Sequence, residues 1–417
     1  MRIAIVGAGL SGVCTAYELA AAGHEVTVFE RRGSVAEEAS FAPSGLLAPA
    51  LALPGLMPAL AAGTLRWRWS RRSAKRSTTQ AQREAQTLKL ARLGHQRLVG
   101  LRRSLPLDDE AADGVLLLLR EAKQLGALQP RLDTLAAAGL AVQVIDAAAC
   151  RQREPGLNPQ APLHGGLVLG PGSVGNGRLF AQQLRAQAQR LGVGFRFHCA
   201  VQSLRVESRA VWLAHVPVAA SPASPTARRE PGDTQPQALG PQTEAFDAVV
   251  LCAAQGAAEL LQAAGQPLPT ALVTDVSLTL PLRVLEAHPE LGPQAGLLDT
   301  QAGVTIARIG QRVRITGPAG TPDHAWLHRV LQHWFPGSVQ QGQVQASTRQ
   351  RLVMPDGLPV VGASALPGVW LHLAQGGEAG QGWGLACGAA RLLADLISGL
   401  SAEFDIDALT AARPTGA

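Results

Sequence analysis

The sequence predicts an α/β protein built around a doubly wound dinucleotide-binding sheet. Three observations predict it. A β-branched run at residues 2–6 passes directly into Gly7-Ala8-Gly9-Leu10-Ser11-Gly12, and a second strand ends in an acid, Glu30, 21 residues after Gly9. Short apolar runs then alternate with helical stretches through the middle of the chain, and a Gly-rich turn near the end opens a long apolar helical run from Trp383 to Ile397, with Gly399 past its end as the cap. The 417 residues are 47% hydrophobic and 16% charged, which suffices for large cores in more than one domain and excludes global disorder.

Arg2-Ile3-Ala4-Ile5-Val6 reads as a strand because branched side chains pack well on a pleated surface. Residues 13–22 form a helix of small residues stopped by Gly23, and residues 25–30 form the second strand. In this fingerprint the first glycine makes a tight turn, the second admits a pyrophosphate to the backbone, and the third lets helix and strand pack closely. The helix N–H groups and dipole meet the phosphates, and Glu30 is placed to accept ribose hydroxyls. That acid favours an adenosine with a free 2′-hydroxyl, while Arg31 and Arg32 leave a 2′-phosphate open.

Residues 40–65 hold no charge, and the basic, Trp-containing stretch 66–76 follows at once. Pro43, Pro49, Pro54 and Pro58 argue against a bilayer-spanning helix. Two readings stand: an apolar active-site loop whose edge and basic neighbour touch a membrane surface peripherally, or a buried loop beside a solvated basic stretch. Helices are expected at 80–105 and 179–191, and a helix broken at Pro130 at 121–140. Strands are expected at 114–120, 142–146, 193–197, 200–206, 211–216 and 245–253. Residues 217–243 hold six prolines and read as a surface insertion between strands of one sheet.

Several function classes are excluded or disfavoured. The five cysteines are dispersed with no C-x-x-C, which argues against a disulfide framework or structural zinc and suggests a reducing compartment. A strand beginning at Arg2 leaves no room for a secretory signal. There is no G-x-S-x-G, H-E-x-x-H or G-K-[ST] motif, and His324, His328 and His333 read better as a solvated helix face than as metal ligands. The net charge of +6 permits an anionic partner without naming one, and no nucleic-acid module is recognisable.

The last seventy residues carry a more specific signal. Arg351-Leu352-Val353-Met354-Pro355-Asp356-Gly357-Leu358-Pro359-Val360-Val361-Gly362 precedes a strand, then Gly376-Gly377-Glu378-Ala379-Gly380-Gln381-Gly382-Trp383. This arrangement resembles the D-amino-acid dehydrogenase group of the FAD-dependent amine oxidoreductases, which also includes glycine and D-amino-acid oxidases. Ser40-Phe41-Ala42, Glu154-Pro155-Gly156-Leu157, Asp247-Ala248-Val249-Val250 and Ser277-Leu278-Thr279-Leu280-Pro281-Leu282 are further matches, so the resemblance spans nearly the whole chain.

The resemblance implies a Rossmann-like three-layer FAD-binding domain with an inserted mixed α+β substrate domain. The expected division is 1–105, 142–265 and 345–417 for the FAD-binding domain, with 106–141 and 266–344 for the substrate domain. It implies FAD contacts from Gly7, Ala8, Gly9, Leu10, Ser11, Gly12, Glu30 and Arg31; from Ser40, Ser44 and Gly45; from Val201, Ala253 and Gly256; and from Gly380, Gln381, Gly382 and Trp383. Trp383 as simple core is the competing reading. Arg351 looks like the carboxylate clamp, with a structural ion pair as the alternative, since Arg349 shares its strand face. Glu378 stands where the family has a His and joins the substrate set. Thr274-Asp275-Val276-Ser277 replaces Lys-Gly-Tyr-Ser, Asn176 replaces an Asp, and the single tyrosine, Tyr17, lies in the first helix.

The implied reaction oxidises the Cα–N bond of a D-amino acid or related amine, with hydride passing to flavin N5. The imino acid then hydrolyses to a 2-oxo acid and ammonia, and a quinone or other acceptor takes the electrons. A flavin oxidase of glycine-like or tRNA-linked amines, and a flavin-binding relative without turnover, are the alternatives. No metal or nucleic acid is expected, and the location implied is cytoplasmic or at the inner membrane face.

Overall fold

Arg2–Val6 pairs in parallel with Glu25–Phe29 on one side and Ala248–Leu251 on the other, which places the glycine turn at the centre of a sheet. The computed structural model describes residues 1–56, 78–208, 210–219, 240–283, 291–317, 323–340, 342–373 and 382–413. The central sheet runs Val360–Ala363, Val369–Leu373, Ala248–Leu251, Arg2–Val6, Glu25–Phe29, Gly194–Arg196, parallel except at the Val360–Ala363 edge.

Its strands are apolar on both faces because both are covered. Ile3 and Ile5 point into a core shared with the helices Leu10–Ala21, Thr78–Ser104, Gly177–Arg190 and Gly382–Ile397. Ala4 and Val6 point the other way, against a three-stranded antiparallel sheet of Cys199–Glu207, Ala210–Pro217 and Gln242–Phe246. Helix layer, parallel sheet and antiparallel sheet make the three layers that the sequence led us to expect.

A second sheet of eight strands runs Gln345–Val353, Ala271–Pro281, Arg312–Gly317, Val304–Ile309, Gly296–Asp299, Val115–Leu119, Gly165–Leu169, Val142–Asp146. It is mixed, since Gly296–Asp299 meets Val115–Leu119 in parallel and its neighbours are antiparallel. The helix His324–Trp334 lays Leu327, Leu331 and Trp334 on one face, against Leu278, Leu280, Val313 and Ile315. Alternation turns Asp275, Ser277, Thr279, Arg314 and Thr316 to the opposite face. That face meets the first domain, where Arg314 donates to the Pro43 carbonyl and Arg349 to the Ala39 carbonyl.

Several sequence expectations change here. Val142–Asp146 and Gly165–Leu169 belong to the eight-stranded sheet, and so does Gln345–Val353, so sheet membership does not follow the divisions drawn at 142 and 345. Apolar runs alone do not say which sheet a strand joins. The run at 245–253 is two strands, Gln242–Phe246 and Ala248–Leu251, in different sheets. The helix expected to break at Pro130 is continuous from Ala122 to Ala137. A capping box between Glu121 and Gln124 starts it, and the buried Leu128 and Leu135 hold it on either side of the proline.

Other elements stand as read. The 217–243 insertion joins two paired antiparallel strands, Ala210–Pro217 and Gln242–Phe246; residues 220–239 themselves lie outside the described residues. Gly399 follows the last helix at φ +80, with its N–H on the Leu396 carbonyl. The apolar stretch from Ala42 is buried as far as Leu53 through a short strand and the 3-10 turn Pro49–Ala52, which bears out the buried-loop reading for that part. The basic stretch 66–76 lies outside the described residues. Among the described residues, no helix is long and apolar enough to cross a membrane.

Candidate active site

The glycine turn is built by close approach. Gly7 has φ +100, and a Cβ there would stand 2.7 Å from the Ala253 Cα; a Cβ on Gly12 would overlap the Gly7 carbonyl oxygen. Helix Leu10–Ala21 therefore starts hard against the strand end, with its first N–H groups aimed outward. Ser40 Oγ accepts the Leu10 N–H at 3.0 Å and fixes this end of the helix.

Glu30 closes the adjacent strand. Its Oε2 accepts the Ala8 N–H at 2.7 Å and its Oε1 the Arg32 N–H at 2.8 Å. Burial raises its pKa, and these two donors oppose the rise. A carboxylate so held keeps spare lone pairs for ribose hydroxyls. Arg31 and Arg32 both turn to Glu38, at 2.7 and 2.6 Å, so that carboxylate already engages the cations that had left a 2′-phosphate open.

A cleft of about 410 Å³ begins at this turn and runs across the strand ends to the last helix. Of the residues implied to contact FAD, Gly7, Gly9, Leu10, Ser11, Glu30, Arg31, Ser40, Val201, Ala253 and Gly256 line it. Gly382, Trp383 and Arg351 line its far end. Ala8, Gly12, Ser44 and Gly45 stand behind the lining. Ala8 and Gly12 shape the turn, and Gly45, at φ +82, packs on the Gly175 carbonyl. Glu378, Gly380 and Gln381 lie outside the described residues. Trp383 satisfies both of its readings: it is buried, packs 5.1 Å from the Phe180 ring, and still borders the cleft.

Arg351 donates through Nε to Asp275 Oδ2 at 2.8 Å, and Arg349 reaches the same oxygen at 2.9 Å. The register explains this, because Asp275 on Ala271–Pro281 faces Arg349, and Arg351 is two residues further along the same face. The ion-pair reading of Arg351 is thus real, and it places the guanidinium at the cleft wall. Asp275, which sequence reasoning recorded only as a departure from the family pattern, is its anchor.

Sequence reasoning missed two further residues. His372 lies at the end of Val369–Leu373 and lines the cleft. Its Nδ1 is 2.8 Å from Thr15 Oγ1, whose own proton goes to the Ser11 carbonyl at 2.8 Å. The ring nitrogen is then the donor, and Nε2 is left as a buried lone pair without a partner in the described structure. Burial pushes the His372 pKa down to about 3, so the ring stays neutral. The second is Arg314, 5% exposed, whose Nε donates to Thr279 Oγ1 at 2.9 Å and whose Nη1 donates to the Pro43 carbonyl at 3.0 Å. Both partners are neutral. Burial, then Arg349 and Arg312, push its pKa down to about 9. Asn176, in place of an Asp, caps Gly177–Arg190 by accepting the Leu179 N–H and donates to Glu110 Oε2.

These features fit an adenine dinucleotide such as FAD. The glycines leave a cradle that a Cβ would fill, Glu30 supplies a half-buried acceptor, and the Gly382 helix end with Trp383 Nε1 and His372 Nε2, which have no partner among the described residues, supplies polar groups at the opposite end. Among the described residues no group of three or more His, Cys, Asp or Glu side chains could hold a metal.

Comparison with known proteins agrees. D-amino acid dehydrogenase from Cereibacter sphaeroides is 31% identical over 97% of this chain and 93% of its own length. The enzyme of that name from Methylobacterium nodulans is 31% identical over 99% of both chains. Among solved structures, glycine oxidase from Geobacillus kaustophilus shares the fold with a TM-score of 0.72 at 20% identity, covering 99% of both chains. L-amino acid deaminase from Proteus vulgaris, with its specific insertion deleted, gives 0.70 at 16% identity over 99% of this chain and 93% of its own. The family described as DAO, FAD dependent oxidoreductase, matches residues 2–396. The chain belongs to that family and is an FAD-dependent oxidoreductase.

Proposed function

We propose that the cleft oxidises the Cα–N bond of a D-amino acid or closely related amine, yielding an imino acid that water converts to a 2-oxo acid and ammonia. The observation that carries this reading is Arg351, a guanidinium at the cleft wall held through Nε by a buried carboxylate. FAD, held by the glycine turn, Glu30 and the Gly382 helix end, would supply the two-electron oxidant. Arg351 orients the substrate by its carboxylate, as a planar fork does and a lysine does not. Asp275 keeps that fork from rotating. The positive end of Gly382–Ile397 stabilises negative charge that develops beside it, and His372 offers a neutral acceptor. The D configuration rests on the names of the relatives. A quinone or other carrier then takes the electrons, and the basic stretch 66–76 is the segment we propose to bring the enzyme to a membrane surface.

Anaerobic titration of the FAD-loaded protein with D- and L-amino acids, glycine and sarcosine tests this. Bleaching of the flavin band by D-amino acids but not their L forms is expected, with slow recovery in air and fast recovery with a quinone. R351K should raise KM by tenfold or more, from loss of the bidentate pair. Rapid recovery in air would make the protein an oxidase. A flavin that stays oxidised with every amine would identify a flavin-binding relative without turnover.

A further inference from the structure

Cys199 opens the strand Cys199–Glu207 and lines the cleft, 5% exposed. Its N–H donates to the Glu30 carbonyl at 2.9 Å, so it stands beside the acid placed for the ribose, at the adenosine end of the cleft. Its Sγ lies 3.3 Å from Nδ1 of the buried His215, and His215 Nε2 lies 2.9 Å from Glu244 Oε1. Glu244 in turn accepts from both Nη atoms of Arg196. The three side chains share one face of the three-stranded sheet. His215 is two residues from Pro217, the cross-strand partner of Cys199, and two from Leu213, the partner of Glu244.

The hydrogens along this chain have one consistent order. A carboxylate accepts, so His215 Nε2 carries the hydrogen and Nδ1 turns its lone pair to the thiol. Burial opposes ionisation of Glu244, but Arg196 and His215 hold its pKa below the ordinary value, so the acceptor stays charged. Burial also pushes the Cys199 thiol up to about 11, which makes it inert by itself. A base aligned on the S–H, and itself oriented by a carboxylate, is the arrangement that activates such a nucleophile. Cys252 supplies the contrast. It lines the same cleft and is more exposed, at 9%, yet no imidazole lies within hydrogen-bond distance of it among the described residues.

We propose that Cys199 is a peroxide-sensitive modification site that closes the adenosine seat when oxidised. Cys199 Sγ attacks hydrogen peroxide that enters the cleft while FAD is not filling it. The S–H proton passes to His215 Nδ1 and from there to the departing hydroxide, so thiol and peroxide become a sulfenic acid and water. The sulfur loses two electrons and the broken O–O bond takes them. Oxygen added to a sulfur in the cleft wall beside Glu30 takes up space that the ribose needs. Hydrogen peroxide forms wherever oxygen accepts the electrons of a reduced flavin, so the site ties cofactor loading to that leak. The proposal does not depend on which amine the cleft oxidises.

The test exposes the full-length protein, at saturating and at subsaturating FAD, to hydrogen peroxide. The protein is then denatured in dimedone, and the labelled peptides are read by mass spectrometry. At low FAD, label on Cys199 and none on Cys252 is expected, with FAD affinity lowered about tenfold or more and restored by dithiothreitol. Saturating FAD should suppress the label. C199S should keep its FAD affinity through the same treatment. H215F should slow the labelling about tenfold or more. E244Q, whose amide oxygen still accepts the His215 N–H, should slow it severalfold and serves where H215F does not fold. Both variants should bind FAD as the unmodified chain does before peroxide is added, which a merely structural loss would not allow. Label on Cys252 as fast as on Cys199 would show that access decides and not the relay, and would overturn the proposal. An unlabelled Cys199 in FAD-poor protein would overturn it too, as would a C199S variant that still loses FAD to peroxide.

Discussion

Glu30 binds its own backbone before it binds a ligand, so its carboxylate is oriented by the Ala8 and Arg32 N–H groups with no freedom left to lose. Replacing it with alanine removes an acceptor for the ribose and strands two donors. FAD affinity should fall at least tenfold, since hydrogen bonds to a charged group are worth about 1.5–3 kcal/mol, read as the FAD dissociation constant from flavin fluorescence. Glu154 behaves differently. It is buried and accepts the Gln294 and Ala295 N–H groups, yet burial outweighs them and raises its pKa to about 7 from 4.5. Its folded form holds a proton that the unfolded chain releases, so the stability it contributes is full below pH 4.5 and is lost as pH rises through about 7. The loss is on the order of 3 kcal/mol at one pKa unit per 1.4 kcal/mol. Melting curves should show this slope in the native protein and lack it in E154Q; an unchanged slope would assign the titration elsewhere. Neither role follows from composition, because the two residues differ only in what surrounds them.

At the scale of elements, the helix Thr78–Ser104 crosses the last helix at glycines. A Cβ on Gly94 would overlap the Gly384 carbonyl, and one on Gly388 would stand 2.7 Å from the Gly94 N. This seating sets where Gly382 and Trp383 meet the cleft. G94A should force the helices apart, destabilise the protein by about 1–3 kcal/mol and weaken FAD binding with it, measured by melting and by flavin content. Pro130 presents the opposite case, a residue that harms its own helix and is overruled by Leu128 and Leu135. P130A should raise stability by about 1–3 kcal/mol, seen as a higher denaturation midpoint at unchanged slope. The sequence marked both helices by their apolar periodicity. It did not mark the break at Pro130 correctly, because the energy that keeps the helix whole comes from packing on the sheet.

The whole molecule joins the two sheets across the cleft. Glu30 and Ser40 line it from the end of Glu25–Phe29 and the loop beyond, and Arg351 lines it from the larger sheet, so a cofactor filling the cleft would bridge the two. Saturating FAD at about a hundred times its dissociation constant should add about 2.7 kcal/mol to stability, and scanning calorimetry of protein with and without FAD should show one shifted transition. Two transitions, only one of them moved by FAD, would mean that the sheets unfold separately. By itself the sequence determined the strand–turn–helix cofactor site, the acid that closes it, the helix cap at Gly399 and the arginine before the Pro-Asp-Gly turn. Each of these is written within a few neighbouring residues, where backbone conformation and spacing decide the outcome. Only the tertiary structure decided that Val142–Asp146 and Gly165–Leu169 join the larger sheet, that Asp275 anchors Arg351 and Arg349, and that Arg314 is buried with no carboxylate paired to it among the described residues. Those outcomes depend on strand order and register between segments far apart in the chain, which are fixed by how whole faces pack and not by any local run of residues.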